Sequence, residues 1–377
     1  MGPVRLYVTT RKKTPLSVVA CHCCPSALRG SFSLTAGTYP DVLELFKTQS
    51  KMQKVSFESF ATMIFSKGVV GLLDEYNSKF KNYKGPGDRI ERTAFDINQK
   101  LNQMKNRYRD VSCRDGTRIV LTDGKGGDYI HANLVRGDPL QTSFIATQGP
   151  TTTTVLDFWR MIQQYRIQSI VQLCDFVERG RKKSECYFPT ETGQPKIVGD
   201  WKIFYIETMA LDSHIRHTSL PSEDKHIPKS NLSVLRLLTY VRTKTRPCVV
   251  HCSAGIGRTG TMIGVEMCLQ QLLLKGRLDI LEVAKRLRDQ RAHAVQVGLQ
   301  YVLLAVIVIE FGVAMKLIQD PTLISEFSML KSEMEAYSQK TAETTDESQL
   351  RRGKKGASNV LFLRPSTESP KKKIRPR

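Results

Sequence analysis

The chain has 377 residues, with 57 Lys and Arg against 36 Asp and Glu, a formal charge of +21. Apolar residues make up 40% and charged residues 25%, which excludes a wholly disordered or collagen-like chain and allows one large domain with tails. Residues 1–40 carry five basic residues and no acid, and residues 343–377 carry ten basic and four acidic ones. Basic ends of this kind favour acidic surfaces without specifying which.

In chain order, residues 1–40 read as a basic, irregular arm, whose apolar stretch LSVVA is too short for a secretory core. The CHCC cluster at 21–24 invites a zinc reading, but no second Cys/His pair lies near it to complete four ligands. From Ser56 to Lys81 the apolar spacing predicts helix, with a break near Gly68. Gly85-Pro86-Gly87 ends that region, and Ala94–Lys105 suits another helix. Strands are expected at Arg118–Thr122, Tyr129–Val135 and Phe144–Gln148, then a helix from Thr152 to Arg166. Ser169–Cys174 and Trp201–Ile206 are further β-prone runs.

The second half alternates more plainly: helix at Leu232–Val241, strand at Cys248–Cys252, helices at Thr259–Leu274, Ile280–Arg291 and Gln296–Met315. Its longest apolar run, Tyr301–Ile309, is too short to cross a bilayer and reads as a buried helix. The expected architecture is a single α/β (α+β) domain, with a twisted mixed β-sheet flanked by helices on both faces. Its span is 41–318, followed by a helical extension over 319–342 and a basic disordered tail over 343–377. Nine cysteines at irregular spacing argue against a disulfide framework and for a reducing compartment.

The segment that carries chemistry is His251-Cys252-Ser253-Ala254-Gly255-Ile256-Gly257-Arg258-Thr259. A strand runs into a glycine-bearing loop and the loop into a helix, which makes an anion cradle of backbone N–H groups and a helix N-terminus. Such donors stabilise Cys252 as a thiolate nucleophile. Arg258 offers a planar fork for two phosphate oxygens. The Thr259 hydroxyl lies where it could help the thiolate depart. The ending Gly-Lys-Ser/Thr of a nucleotide loop is absent.

This segment resembles the signature of the cysteine-dependent, tyrosine-specific protein tyrosine phosphatase family. Lys105-Asn106-Arg107-Tyr108-Arg109-Asp110-Val111 resembles its phosphotyrosine-recognition loop. Asp128–Asn133, Thr147–Pro150, Phe158-Trp159, Cys186–Pro189 and Gln296–Tyr301 resemble further motifs in the same order. The resemblance runs from about Asn102 to Phe311. It implies hydrolysis of phosphotyrosine in proteins through a phosphocysteine, with no metal and no cofactor. In that reading His251 helps keep Cys252 ionised, and residues Ser253, Ala254, Gly255, Ile256 and Gly257 offer amides to the phosphate. Tyr108 walls a slot for the phenyl ring, Asp110 binds peptide amides, and Arg109 favours acidic neighbours of the phosphotyrosine. Gln296, with Gln300, orients the hydrolytic water, and Lys183 contacts the acid loop. The uncharged residues between Cys252 and Arg258 favour a phosphotyrosyl protein over a phosphoinositide.

The chain departs from the family at the general acid, for its tryptophans, Trp159 and Trp201, both lie outside that loop. Counting back from Ile227-Pro228 puts Asp224 at the acid position. Glu223 is the runner-up, and an alignment on Pro221 would put Ser222 there instead. The Pro189–Pro228 segment is also short, as though a strand or hairpin were missing. Three functions stay open here: an active phosphatase, a catalytically weak phosphotyrosine-binding module, and a basic nucleic-acid-binding protein resting only on the tails. A cytoplasmic location is expected, with nuclear entry allowed by the Lys371–Arg377 run.

Overall fold

The computed structural model describes residues 4–9, 13–20, 51–100, 105–191, 193–208 and 232–357. Among them a nine-stranded sheet forms the spine of the molecule. In chain order its strands are β1 (Val4–Thr9), β2 (Lys13–Ala20), β3 (Arg118–Val120), β4 (Tyr129–Val135), β5 (Phe144–Thr147), β6 (Ser169–Gln172), β9 (Lys196–Val198), β10 (Trp201–Thr208) and β11 (Cys248–His251). A two-stranded ribbon, β7 (Val177–Glu178) and β8 (Arg181–Lys182), stands apart. The spatial order is β3-β4-β5-β11-β6-β2-β1-β10-β9. The centre is parallel, with β11 between β5 and β6 and β2 parallel to β6. Both flanks are antiparallel.

Among the described residues eight α-helices surround it: α1 (Lys51–Glu75), α2 (Thr93–Lys100), α3 (Val155–Gln164), α4 (Leu232–Arg242), α5 (Arg258–Lys275), α6 (Ile280–Gln290), α7 (Gly298–Ala314) and α8 (Pro321–Ala357). Side chains alternate across the central strands, as period-2 geometry requires. Phe144, Ala146, Val171 and Val250 enter the larger core with α1 and α4–α8. Ile145, Ile170 and Val249 enter a smaller core with Phe158, Trp159 and Ile162 of α3. Helices therefore cover both faces, most of them on one. Tyr301–Ile309 is buried throughout within α7, because α7 lies between α1, α5 and α8.

The break near Gly68 is present, with that residue at φ 62° and ψ −177° inside α1. From Lys51 to Phe80, 30 residues, the chain is long and apolar enough to cross a membrane by length and composition alone. Here Phe57, Phe60, Ile64, Leu72 and Leu73 of that run enter the core.

Two expectations need correction. Residues 1–40 were expected to be irregular, yet β1 and β2 form a hairpin seated between β6 and β10. Pro15, which argues against an interior strand, faces Tyr7 of β1, while pairing to β6 begins only at Ser17. Its missing N–H therefore interrupts no ladder on the β6 side. The hairpin occupies the part of the sheet between β6 and β10, while the Pro189–Pro228 segment, expected to lack a strand or hairpin, supplies β9 and β10 among its described residues. The second correction is the C-terminal helix, which runs to Ala357 rather than stopping at 342. Phe327, Leu330 and Met334 bury one stripe of it against α1 and α7.

Candidate active site

The loop between β11 and α5 is held from behind. Gly149 N–H donates to the Ser253 carbonyl at 2.9 Å. Arg291 donates to the carbonyls of Ala254 (3.1 Å) and Gly255 (3.0 Å). Val295 N–H takes the Ile256 carbonyl at 3.0 Å, and Thr261 N–H takes that of Gly257 at 2.9 Å. With these carbonyls engaged outside the cradle, the Gly255 amide turns inward and donates to Cys252 Sγ at 3.2 Å. Gly255 sits at φ 70°, and a Cβ there would collide with the Thr147 backbone, so only glycine closes this turn.

Cys252 is 2% exposed at the base of the cradle. Arg258 opens α5 and is buried. Its Nη1 donates to the Leu173 carbonyl (2.7 Å) and Glu178 Oε1 (2.6 Å), and its Nη2 to Glu178 Oε2 (2.7 Å). Burial alone would lower the arginine's pKa, but the Glu178 carboxylate and negative charge on the Cys252 sulfur outweigh it and raise it. Burial would likewise raise the pKa of Glu178, and the Arg258 hydrogen bonds and charge lower it overall. Arg258 Nε and Thr259 Oγ1 are buried and have no partner among the described residues. Both atoms are able to donate a hydrogen bond.

His251 is buried, with Nε2 2.9 Å from the Tyr187 hydroxyl and Nδ1 3.3 Å from the Cys252 carbonyl. Burial pushes its pKa down to about 4, so at neutral pH the imidazole is uncharged. Its described contact with Cys252 is therefore the one to the backbone carbonyl, made without a positive charge.

Tyr108 packs against Val111, Ala254 and Ile256, and its hydroxyl lies 2.8 Å from Ser253 Oγ. The ring thus stands at one side of the cradle, with Arg109 and Asp110 exposed at the turn beyond it. Gln296 and Gln300 reach the other side. A Cβ built on Gly257 would lie 3.2 Å from Gln296 Oε1 and 2.9 Å from Gln300 Nε2. Lys183 is buried and helps depress the Glu178 carboxyl by its charge. Asp224, Glu223 and Ser222 lie outside the described residues, as does the CHCC cluster. Among the described residues, no group of three His, Cys, Asp or Glu could hold a metal ion.

Sequence reasoning missed several supporting groups. Glu178 carried no signal beyond being one acid between the β-prone runs Ser169–Cys174 and Trp201–Ile206. Arg291 looked like a helix-end arginine, yet it is fully buried beneath the loop, with Asn133 Oδ1 at 2.8 Å. Arg107 clamps the turn behind the cradle through the carbonyls of Gly149 (3.0 Å) and Pro150 (2.6 Å).

A family model described as protein-tyrosine phosphatase matches residues 102–310. Receptor-type tyrosine-protein phosphatase zeta of Rattus norvegicus is 34% identical over 245 residues, covering 56% of this chain and 10% of that protein. Tyrosine-protein phosphatase non-receptor type 9 of Homo sapiens is 33% identical over 251 residues, covering 56% of this chain and 42% of the relative. Receptor-type tyrosine-protein phosphatase eta of Gallus gallus is 34% identical over 285 residues, 68% of this chain and 20% of that protein. The match thus spans less than half the length of each of these relatives.

Proposed function

The chain belongs to the protein-tyrosine phosphatase family, and from that membership we propose that it hydrolyses phosphotyrosine in proteins through a phosphocysteine intermediate. The observation that carries this reading is the pair of buried donors without a partner among the described residues, Arg258 Nε and Thr259 Oγ1, in the first turn of α5 where the loop from Cys252 ends. A phosphate oxygen answers the first, and the sulfur of a departing thiolate answers the second.

In the first step the Cys252 thiolate forms a bond to phosphorus as the phosphorus–phenolate bond breaks. Inward amides of the loop and Arg258 stabilise the equatorial oxygens, a preorganised electrostatic site. The leaving phenolate takes a proton from Asp224, the residue we assign as general acid. In the second step water attacks phosphorus and gives a proton to the Asp224 carboxylate, the sulfur leaves as thiolate, and inorganic phosphate is released. Gln296 and Gln300, against Gly257, orient that water. Tyr108 supplies the wall of the phenyl slot, while Arg109 and Asp110 meet the substrate backbone and its acidic neighbours. The named relatives are phosphatases, which does not favour a catalytically weak binding module. The described cysteines are free thiols, which supports the reducing, cytoplasmic setting we also propose.

Turnover of a phosphotyrosyl peptide tests the assignment. Cys252→Ser should abolish turnover and retain binding of the peptide; activity near wild type would overturn the assignment. Arg258→Lys should lose more than about tenfold in kcat/KM, since a point charge does not replace the planar fork. Asp224→Asn should reduce hydrolysis of phosphotyrosine strongly and of an aryl phosphate with a good leaving group only slightly. Equal effects on the two substrates would remove Asp224 from the acid role.

A further inference from the structure

Gln296 is exposed, yet its backbone is pinned on both sides by side chains that are not. Its N–H donates to Gln300 Oε1 at 2.9 Å. Its carbonyl accepts from the Tyr76 hydroxyl at 2.6 Å, a contact across 220 residues of sequence. The loop before it is strained: His293 and Val295 are non-glycine residues at φ 63° and 58°. Val295 is β-branched, for which the left-handed region is a true outlier. Such a conformation persists only where surrounding contacts over-determine it.

Tyr76 is built to be one of those contacts. It opens a single π-turn, Tyr76–Phe80, directly after α1, a local distortion that often marks a functional position. The side chain is 5% exposed and packs against the rings of Phe80 (5.8 Å) and Tyr301 (6.0 Å). Burial raises its pKa, so the hydroxyl keeps its proton and remains a donor. Glu75, its neighbour, accepts from the Tyr301 hydroxyl at 2.6 Å and pairs with Lys67 at 2.7 Å. On the other side of the contact, a Cβ on Gly298 would lie 2.7 Å from Leu73 Cδ2 and 3.4 Å from Tyr76 Cδ1. Glycine there lets the loop press onto the end of α1. The Tyr76–Gln296 bond is therefore held by packing on both partners.

We infer that Tyr76 is a positioning residue for Gln296, governing hydrolysis of the phosphocysteine and not its formation. The inference rests on the proposed role of Gln296 in orienting the water. The hydroxyl lies behind the loop, so its loss leaves Cys252, Arg258 and Tyr108 in place and frees only the carbonyl that fixes Gln296.

The test is Tyr76→Phe, which keeps the ring and removes the donor, read by rapid quench with p-nitrophenyl phosphate. The burst of p-nitrophenol reports formation of the phosphocysteine, and a chase of the isolated phosphoenzyme reports its hydrolysis. Hydrolysis should slow about fivefold to tenfold, the size of one net hydrogen bond. The burst rate and kcat/KM should stay unchanged, with KM falling alongside kcat. In a Gln296→Ala background, Tyr76→Phe should add nothing, because the two act as one unit. Undiminished hydrolysis in Tyr76→Phe, or an equal loss in the burst, would overturn the inference. Undiminished hydrolysis in Gln296→Ala would instead overturn the role of Gln296 itself. Gly298→Ala, which forces the loop off Leu73, should show the same split and serves if Tyr76→Phe does not fold.

Discussion

A guanidinium as buried as Arg258 needs compensation, and Glu178 supplies two of its three bonds to the protein. Glu178→Ala would leave the Leu173 carbonyl as the fork's partner. We expect kcat/KM for an aryl phosphate to fall by roughly 5- to 100-fold, corresponding to about 1–3 kcal/mol for an orphaned buried donor. Glu178→Gln, which keeps one acceptor, should fall between this variant and wild type. The buried histidines set a pH dependence at the same scale. Burial pushes His131 to about 3 and His251 to about 4, from an ordinary value of 6.5. The unfolded chain therefore takes up protons first as the pH falls. Stability should be intact above about pH 6.5 and decline progressively toward pH 4. Melting temperatures between pH 8 and 4 check the sign, and His131→Gln should flatten the slope.

Elements with a strong period were legible in the sequence, while paired ribbons were not. The α1 break, α3 and α4–α7 follow from apolar spacing and glycine punctuation, since those signals are local. The sequence between β1 and β2, Thr10-Arg11-Lys12, contains no glycine or asparagine to mark a hairpin. Its identity as sheet depends on β6 and β10, far away in the chain. The extent of α8 was missed for a similar reason. Beyond residue 342 its composition is polar and reads as tail, while the residues that dock it, Phe327, Leu330 and Met334, come earlier. Leu330→Ala should destabilise the protein by about 2–3 kcal/mol and leave kcat/KM unchanged. Denaturant unfolding together with aryl phosphate turnover checks both halves.

On the scale of the whole molecule, the β1–β2 hairpin joins β9 and β10 to the rest of the sheet. Deleting residues 1–20 would leave β6 and β10 with unpaired edges, a recognised route to aggregation. We expect that variant to be insoluble or to unfold without a single cooperative transition. A monodisperse protein with the wild-type melting temperature would show that the hairpin carries no structural role.

The sequence by itself determined the cradle and its family, because strand, loop and helix lie within a dozen residues and each part has a local signature. It also determined the buried character of α7, since a nine-residue apolar run suits an interior. Only the tertiary structure decided what holds the cradle in shape. Glu178 reaches Arg258 across 80 residues, and Tyr76 reaches Gln296 across 220. Such contacts leave no pattern in the chain. They form because burial brings a charge or a hydroxyl beside the one group that can satisfy it.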